Sequence, residues 1–147
     1  MKLKNVKCSI HKLDNNNKFY VDVVNIGCSP WVIYLQTKNT KPLYDSFKAT
    51  QTQPSWPDDY WYDIKDFDKL VESIKKYGYK KEFCNNKKFQ NNFNGKNWKG
   101  GKGVVKMHTN GNIQDGHHRC AILYFLYGPE YEITIKNNIL QNIPPLN

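Results

Sequence analysis

The sequence predicts an α+β fold in which helices cover a small mixed sheet. Three observations favour this class. Apolar and polar residues alternate near the N terminus, apolar residues recur at helical spacing around residue 70, and a second hairpin pattern leads into an apolar helix near residue 120. A length of 147 residues suits one hydrophobic core, so we expect residues 1–147 to form a single domain.

Residues 1–30 are expected to form an N-terminal β-hairpin extension. Apolar residues occupy alternate positions on both sides of a polar turn at 14–17: Val6, Cys8, Ile10, Phe19, Val21 and Val23. The short apolar run Trp31–Leu35 predicts a buried strand. Prolines and polar residues predict a long irregular segment from Gln36 to Pro57, and long loops in compact domains often carry function.

The middle of the chain contains the clearest helix pattern. Its apolar residues recur at i, i+3, i+4 and i+7: Phe67, Leu70, Val71 and Ile74. We expect Asp63 or Asp66 to cap the start of this helix and Gly78 to end it. Residues 80–103 are basic and rich in asparagine, and we interpret them as an insertion, either a lid over a ligand or a solvated segment.

A hairpin and a helix are predicted in the last third. Asn110-Gly111 is a strong hairpin-turn signal and joins expected strands at 104–108 and 112–114. An apolar helix follows from Cys120 to Tyr127 and stops at a Gly-Pro pair. Its inward-facing residues are predicted to be Ala121, Ile122, Phe125 and Leu126. A last strand is expected at Tyr131–Lys136.

The net charge favours an anionic partner. The chain has 22 Lys and Arg against 13 Asp and Glu, which gives a formal charge of +9. Nearly all of the excess is lysine scattered through asparagine-rich stretches, a pattern that a general compositional bias also produces, so charge alone indicates nucleic-acid binding only as an alternative.

The cysteines and the hydropathy indicate the cellular setting. Cys8, Cys28, Cys84 and Cys120 lack the paired spacing of a zinc site, so we expect free thiols and no structural metal. No apolar run is long enough to span a bilayer, and the N terminus lacks the apolar region of a secretory signal. We therefore expect a cytoplasmic protein without a membrane partner.

The run Asp115-Gly-His-His-Arg119 is the strongest functional signal. A strand that leads directly into a helix at this run places free backbone N–H groups, two imidazoles and a guanidinium around one point. Gly116 permits a sharp turn, Arg119 can grip two phosphate oxygens, and His117 or His118 is expected to donate to phosphate as a protonated imidazole. The sequence thus predicts an anion site.

Asp115 requires a separate explanation. A carboxylate beside a phosphate is repelled unless a cation lies between them or the carboxylate accepts a proton, so a Mg²⁺ ligand or a general base is expected. The structural alternative is that Asp115 caps the helix while the histidines make ordinary hydrogen bonds.

These residues resemble the ParB/sulfiredoxin superfamily. The resemblance is carried by Asp-Lys-Leu-Val-Glu-Ser-Ile-Lys-Lys-Tyr-Gly at 68–78 and by Asn-Ile-Gln-Asp-Gly-His-His-Arg-Cys-Ala-Ile at 112–122, and it extends over residues 31–136. Sulfiredoxins place a cysteine at the position of His117, and chromosome-partitioning ParB proteins have Gly-Glu-Arg-Arg in the turn and bind CTP. The free-serine kinases carry Asp-Gly-His-His-Arg, the version present here.

The kinase resemblance implies a set of roles. Gly116, His117, His118 and Arg119 would hold the phosphates of ATP or ADP, and Asp115 would support Mg²⁺ or the acceptor hydroxyl. These kinases also use an acidic catalytic base, usually glutamate, but residues 31–64 contain no glutamate. The candidates for that base are Asp45, Asp58 and Asp59, so the predicted catalytic residues are Asp115, His117, His118 and Asp45.

The resulting hypothesis is an ATP- or ADP-dependent kinase that acts with Mg²⁺ on the hydroxyl of a small metabolite. Two alternatives stay open: a ParB-like DNA-binding protein, nuclease or nucleotide-gated clamp, and a nucleotide-binding module without turnover. The aromatic cluster Trp56–Tyr62 is interpreted either as a stacking surface for a base or sugar or as a small satellite core.

Overall fold

In this computed structural model the described residues are 1–52, 64–81 and 104–146, apart from the side chain of Asp66. These stretches contain four α-helices: α1 (Pro30–Thr37), α2 (Lys41–Gln51), α3 (Ile64–Tyr77) and α4 (His117–Tyr127). They also contain six strands: β1 (Lys7–Leu13), β2 (Phe19–Asn25), β3 (Lys106–Met107), β4 (Ile113–Asp115), β5 (Ile135–Lys136) and β6 (Ile139–Leu140). The α+β class is confirmed. None of the described helices is both long and apolar enough to cross a bilayer.

Strands β1 and β2 form the predicted N-terminal hairpin. They pair antiparallel, with Lys7 opposite Asn25 and Leu13 opposite Phe19. The turn between them is closed by Asp14, whose Oδ1 accepts hydrogen bonds of 2.8 Å from the backbone N–H groups of Asn16 and Lys18. The polar turn therefore owes its shape to a local side-chain acceptor, as aspartate in turns commonly provides.

The second sheet has four short strands in the order β4-β3-β6-β5. The Asn110-Gly111 turn is confirmed, since Gly111 has φ +92° and His108 N–H donates to the carbonyl of Asn112. Every pairing in this sheet is antiparallel, so the expectation of a mixed sheet is wrong for the described strands. The predicted last strand, Tyr131–Lys136, is shorter than expected, because its first part makes only an isolated bridge between Glu132 and Lys2 and β5 begins at Ile135. The chain then turns at Asn137 and Asn138, both with positive φ, and returns as β6.

The predicted strand Trp31–Leu35 is wrong, because these residues lie in helix α1. The Ser29 side chain accepts a hydrogen bond of 3.2 Å from Val32 N–H, and Pro30 occupies the first helical position. Serine as cap followed by proline is a favourable helix start, since proline lacks the N–H that would have no partner there. The apolar run is buried as predicted, but as a helix.

The predicted irregular segment between Gln36 and Pro57 contains helix α2. Pro42 lies in its first turn, where proline is tolerated, and Leu43 and Phe47 form a buried pair one turn apart. Residues 53–57, together with the Trp56–Tyr62 cluster, lie outside the described residues.

Helix α3 confirms the amphipathic prediction. Its predicted apolar face is buried: Phe67, Leu70, Val71 and Ile74. The helix ends at Gly78, which has φ +73°. Asp66 is not the N-cap, because the helix begins at Ile64 and Asp66 is its third residue, whereas the other proposed cap, Asp63, lies outside the described residues. Of the predicted 80–103 insertion, the structure describes Lys80 and Lys81. The backbone N–H of Lys81 donates a hydrogen bond to Asn142 Oδ1, and its ammonium donates one to Gln141 Oε1, both near the C terminus.

Helix α4 begins at His117, three residues earlier than predicted, and crosses the middle of the core. Ala121 and Ile122 are fully buried and Leu126 packs against the core, as expected. Phe125 was predicted to face inward, but it is 38% exposed. Because α4 contacts both α1 and α3, its opening turn is enclosed by other helices.

Replacing Gly78 with alanine is expected to destabilise the protein more than replacing Gly128. Both glycines have positive φ, +73° and +92°, so alanine strains the backbone at each by about 1–3 kcal/mol. At Gly78 the added Cβ would also lie 2.3 Å from the carbonyl oxygen of Ile143, whereas nothing lies within 4 Å of it at Gly128. Urea titration should show the larger loss of unfolding free energy for Gly78→Ala. Equal losses of unfolding free energy in the Gly78 and Gly128 variants would contradict the close packing of Gly78, at the end of α3, against Ile143 in the C-terminal segment.

Candidate functional site

The candidate site is the turn that connects β4 to α4, as the sequence predicted. Gly116 lies in the left-handed region, with φ +94° and ψ +31°, and occupies the N-cap position. The first bond within the helix runs from Cys120 N–H to the Gly116 carbonyl, at 3.0 Å. The N–H groups of His117, His118 and Arg119 therefore have no carbonyl partner within the helix, and the positive end of the helix dipole lies at this turn.

Gly116 is required for packing as well as for backbone conformation. A Cβ at this position would lie 2.7 Å from Val105 Cγ2 and 3.0 Å from Val105 Cα. Val105 is fully buried and directly precedes β3, so the space cannot open cheaply. The sequence analysis explained Gly116 by the close approach of a phosphate. The structure shows that packing against Val105 requires a glycine at this position whether or not a phosphate binds.

His118 packs against aromatic rings from three other helices. Its ring centroid lies 5.1 Å from that of Trp31 in α1, 6.4 Å from Phe47 in α2 and 5.8 Å from Phe67 in α3, each in an edge-to-face arrangement. Such contacts stabilise aromatic clusters beyond simple burial. Burial lowers the pKa of His118 to about 3, so the ring is neutral at pH 7.

His117 lies on the other side of Trp31, with ring centroids 5.9 Å apart. Its Nε2 atom and Trp31 Nε1 are both buried, and neither has a hydrogen-bond partner in the part of the chain that the structure describes. Burial, with a smaller contribution from the charge of His11, lowers the pKa of His117 to about 4. The protonated imidazole expected from the sequence is therefore not the resting form of either histidine.

His11 connects this turn to the N-terminal hairpin. Its Nδ1 lies 2.7 Å from Thr50 Oγ1 in α2, and burial lowers its pKa. His11 lies near enough to His117 for a positive charge on one ring to oppose a positive charge on the other.

Asp115 is the last residue of β4, opposite Lys106, and it is partly buried. The alternative that it caps α4 is wrong, because Gly116 holds the cap position and no side-chain cap bond is made. Among the residues that the structure describes, its carboxylate has no hydrogen bond or ion pair. An unpaired carboxylate thus lies next to the positive end of a helix.

Arg119 is the only arginine of the chain. It occupies the third helical position and is partly buried, and its positive charge acts on His118 and on the thiol of Cys120. A guanidinium presents a rigid fork of donors that matches phosphate, which an ammonium does not. The five predicted residues of the turn therefore lie together.

Asp45 is not brought to this turn. It lies in α2, exposed, and its carboxylate pairs with Lys41 at 2.7 Å. Residues two apart on a helix point about 200° apart, so Asp45 points away from the side on which Phe47 contacts His118. Asp58 and Asp59 lie outside the described residues. The structure thus gives no support to Asp45 as a base at the turn.

The donor set at the turn fits Mg²⁺ only in part. Within residues 1–52, 64–81 and 104–146, no three His, Cys, Asp or Glu side chains are grouped so as to hold a metal ion. Mg²⁺ in nucleotide enzymes is usually held by one or two carboxylates together with substrate phosphates and water. Asp115 is suited to be one such ligand.

Sequence reasoning missed the aromatic residues that position the turn: Trp31, Phe47 and Phe67. The available signal was the Ser29-Pro30 pair, which marks a helix start and would have placed Trp31 on α1.

No family model, curated protein or solved structure matches this chain. The resemblance to the ParB/sulfiredoxin superfamily therefore stays a prediction that rests on residues 68–78 and 112–122.

We expect the free energy of unfolding to fall as the pH drops below about 6.5, in part because of His118. The pKa of His118 is about 3 in the folded protein and 6.5 when the ring is exposed, so between these two pH values the unfolded state binds more protons than the folded state. The free energy of unfolding therefore decreases as the pH falls through this range. The loss approaches about 1.4 kcal/mol per pH unit for one such group. Urea titrations between pH 7 and pH 4.5 should give a shallower loss for His118→Phe than for the native protein.

The matched control for this experiment is His108→Asn, which removes an exposed histidine. We expect this variant to follow the pH profile of the native protein. Identical profiles for the native protein and His118→Phe would show that His118 is not buried in its neutral form.

Proposed function

We propose that this protein is a nucleotide-binding phosphotransferase that holds the phosphates of ATP or ADP at the turn Asp115–Arg119. The observation that supports the proposal is the arrangement of charge at this turn. The carboxylate of Asp115, which is unpaired among the described residues, directly precedes the start of a helix that is enclosed by aromatic rings. The first turn of this helix carries three backbone N–H groups without a carbonyl partner in the helix and the only arginine of the sequence.

The backbone N–H groups and Arg119 would bind the phosphates. Helix N-termini favour anions because the N–H groups point outward and the helix dipole is positive there. Arg119 adds a bidentate donor. His117 and His118 are neutral, so each would contribute one N–H donor rather than a full positive charge.

Asp115 would act on the other partner of the reaction. Beside bound phosphates its carboxylate is repelled unless a cation or a proton intervenes. It would therefore either serve as a ligand of Mg²⁺, which would neutralise phosphate charge, or accept the proton of the acceptor hydroxyl.

The reaction would be a direct phosphoryl transfer. The acceptor oxygen forms a bond to the terminal phosphorus as the bond to the bridging oxygen of the nucleotide breaks, and the hydroxyl proton passes to a carboxylate. Such transfers depend mainly on positioning and on neutralising the phosphate charge, and Mg²⁺ supplies part of that neutralisation. The acceptor would be a small hydroxylated metabolite.

A net charge of +9 favours nucleic-acid binding as a second candidate function. That function predicts affinity that falls steeply with salt, because several lysines would neutralise phosphates together. Nucleotide binding at one turn predicts a weak response to the loss of any single lysine.

ATP or ADP with Mg²⁺ is expected to raise the thermal midpoint of the protein, and Arg119→Gln is expected to weaken this effect. A ligand at about 100 times its dissociation constant adds about 2.7 kcal/mol to stability. Losing the charge-assisted bonds of Arg119 should raise the dissociation constant about tenfold or more. This change corresponds to a loss of at least about 1.4 kcal/mol of binding free energy. Thermal-shift titrations with ATP, ADP, CTP and GTP measure both effects.

Lys106→Gln is the matched control, since it removes one positive charge from an exposed residue opposite Asp115. We expect it to change nucleotide affinity by less than Arg119→Gln. The proposal fails if no nucleotide shifts the midpoint, or if the two variants weaken binding equally.

Asp115→Asn separates a kinase from a binding module. If Asp115 orients Mg²⁺ or the acceptor, turnover of ATP in the presence of hydroxylated metabolites should fall by about 10²-fold or more while nucleotide still binds. Phosphorus NMR follows the reaction. Nucleotide binding without turnover by the native protein would instead support the module.

A further inference from the structure

A cavity of about 580 Å³ lies between the N-terminal hairpin and helices α1 and α2. Its lining includes residues from β1, β2, α1 and α2, but none of residues 115–119. A volume of this size is typical of small-molecule sites, which usually range from about 300 to 1,000 Å³.

We propose that this cavity binds a small organic anion, with an apolar body against the hairpin and α1 and a carboxylate or phosphate head at α2. This site would be separate from the nucleotide site at the turn and does not depend on it.

The inner wall of the cavity is apolar. It is formed by side chains from four elements: Ile10, Leu13, Val24, Ile33 and Pro42. Removing an apolar ligand surface from water against this wall would favour binding. The wall therefore favours a ligand with a hydrocarbon or aromatic body.

The charged lining of the cavity favours an anion. Three lysines, Lys12, Lys41 and Lys48, line it, whereas Asp45 is the only acid among the lining residues that the structure describes, and Lys12 pairs at 3.0 Å with Asp22 outside the lining. Lys41 and Asp45 pair at 2.7 Å, but the exposure of both makes this pair weak and easily exchanged for a ligand. The ammonium of Lys48 has no ion-pair partner within the described ranges.

Ser46 adds a polar group that a ligand would satisfy. It lines the cavity and is only 6% exposed. No hydrogen bond of its hydroxyl is found among the residues the structure describes. The hydroxyl oxygen is not among the fully buried atoms that lack a partner, so it is open to solvent on the cavity side and can donate a hydrogen bond to a bound carboxylate or phosphate oxygen.

Cys28 is an exposed thiol in the cavity lining and provides a direct reporter of occupancy. Cys8 and Cys120 are buried, and burial raises the pKa of Cys8 to about 12 and raises that of Cys120 as well. Both thiols are therefore unreactive at neutral pH. In a Cys84→Ser background, alkylation by iodoacetamide should report on Cys28 alone.

The test measures the alkylation rate of Cys28 with increasing concentrations of 4-phenylbutyrate, phenyl phosphate and the neutral analogue 4-phenylbutan-1-ol. We expect at least one of the two anions to slow alkylation about tenfold at saturation, and the neutral alcohol to bind about tenfold or more weakly than the carboxylate. The two anions distinguish a site for carboxylates from one for phosphates.

Variants locate the anionic head. Lys48→Gln should raise the dissociation constant of the protecting anion about tenfold, and Lys41→Gln provides a second variant if the first does not fold. Lys136→Gln, which removes an exposed charge from β5, should leave the constant unchanged.

Three results would overturn the proposal: no protection by either anion, equal protection by the neutral alcohol, or equal weakening by Lys48→Gln and Lys136→Gln. Protection that disappears in Arg119→Gln would place the anion at the turn instead. Because the alkylation experiment uses no nucleotide, a negative result in it would not test the phosphotransferase proposal.

Discussion

The packing of His118 among Trp31, Phe47 and Phe67 fixes the part of the structure on which the candidate site depends. Each ring comes from a different helix, so one imidazole joins four helices at the first turn of α4. On the opposite side, Gly116 packs against Val105 with no space for a side chain. The helix start is therefore held from both sides, and the N–H groups of its first turn, which have no carbonyl partner within the helix, are oriented before any ligand binds.

This packing decides which groups supply positive charge to a ligand. Burial keeps His117 and His118 neutral at pH 7, so the charge comes from the helix dipole and Arg119. Fixed dipoles need little reorganisation when an anion binds, which is the property that favours phosphoryl transfer. Asp115 is unpaired among the described residues, and under the proposed function it is the group that would act on a cation or an acceptor.

The sequence predicted local features better than the contacts between distant elements. The hairpin, α3 and the Asn110-Gly111 turn follow from periodicity and turn chemistry, and all three are confirmed. Trp31–Leu35 was assigned to a strand because a short run of apolar, β-branched and aromatic residues has no decisive period. The turn 115–119 was found because its residues are adjacent in sequence. The aromatic enclosure of His118 could not be predicted, because its members are separated by many residues and one helix had been misassigned.

The most direct test of the account is an NMR titration of ¹⁵N-labelled protein with ADP and Mg²⁺, with adenosine as the control that lacks phosphates. The account predicts that the amide resonances of His117, His118 and Arg119 shift most with ADP and do not shift with adenosine. Unchanged resonances at these three residues while ADP binds elsewhere would contradict a phosphate site at the start of α4.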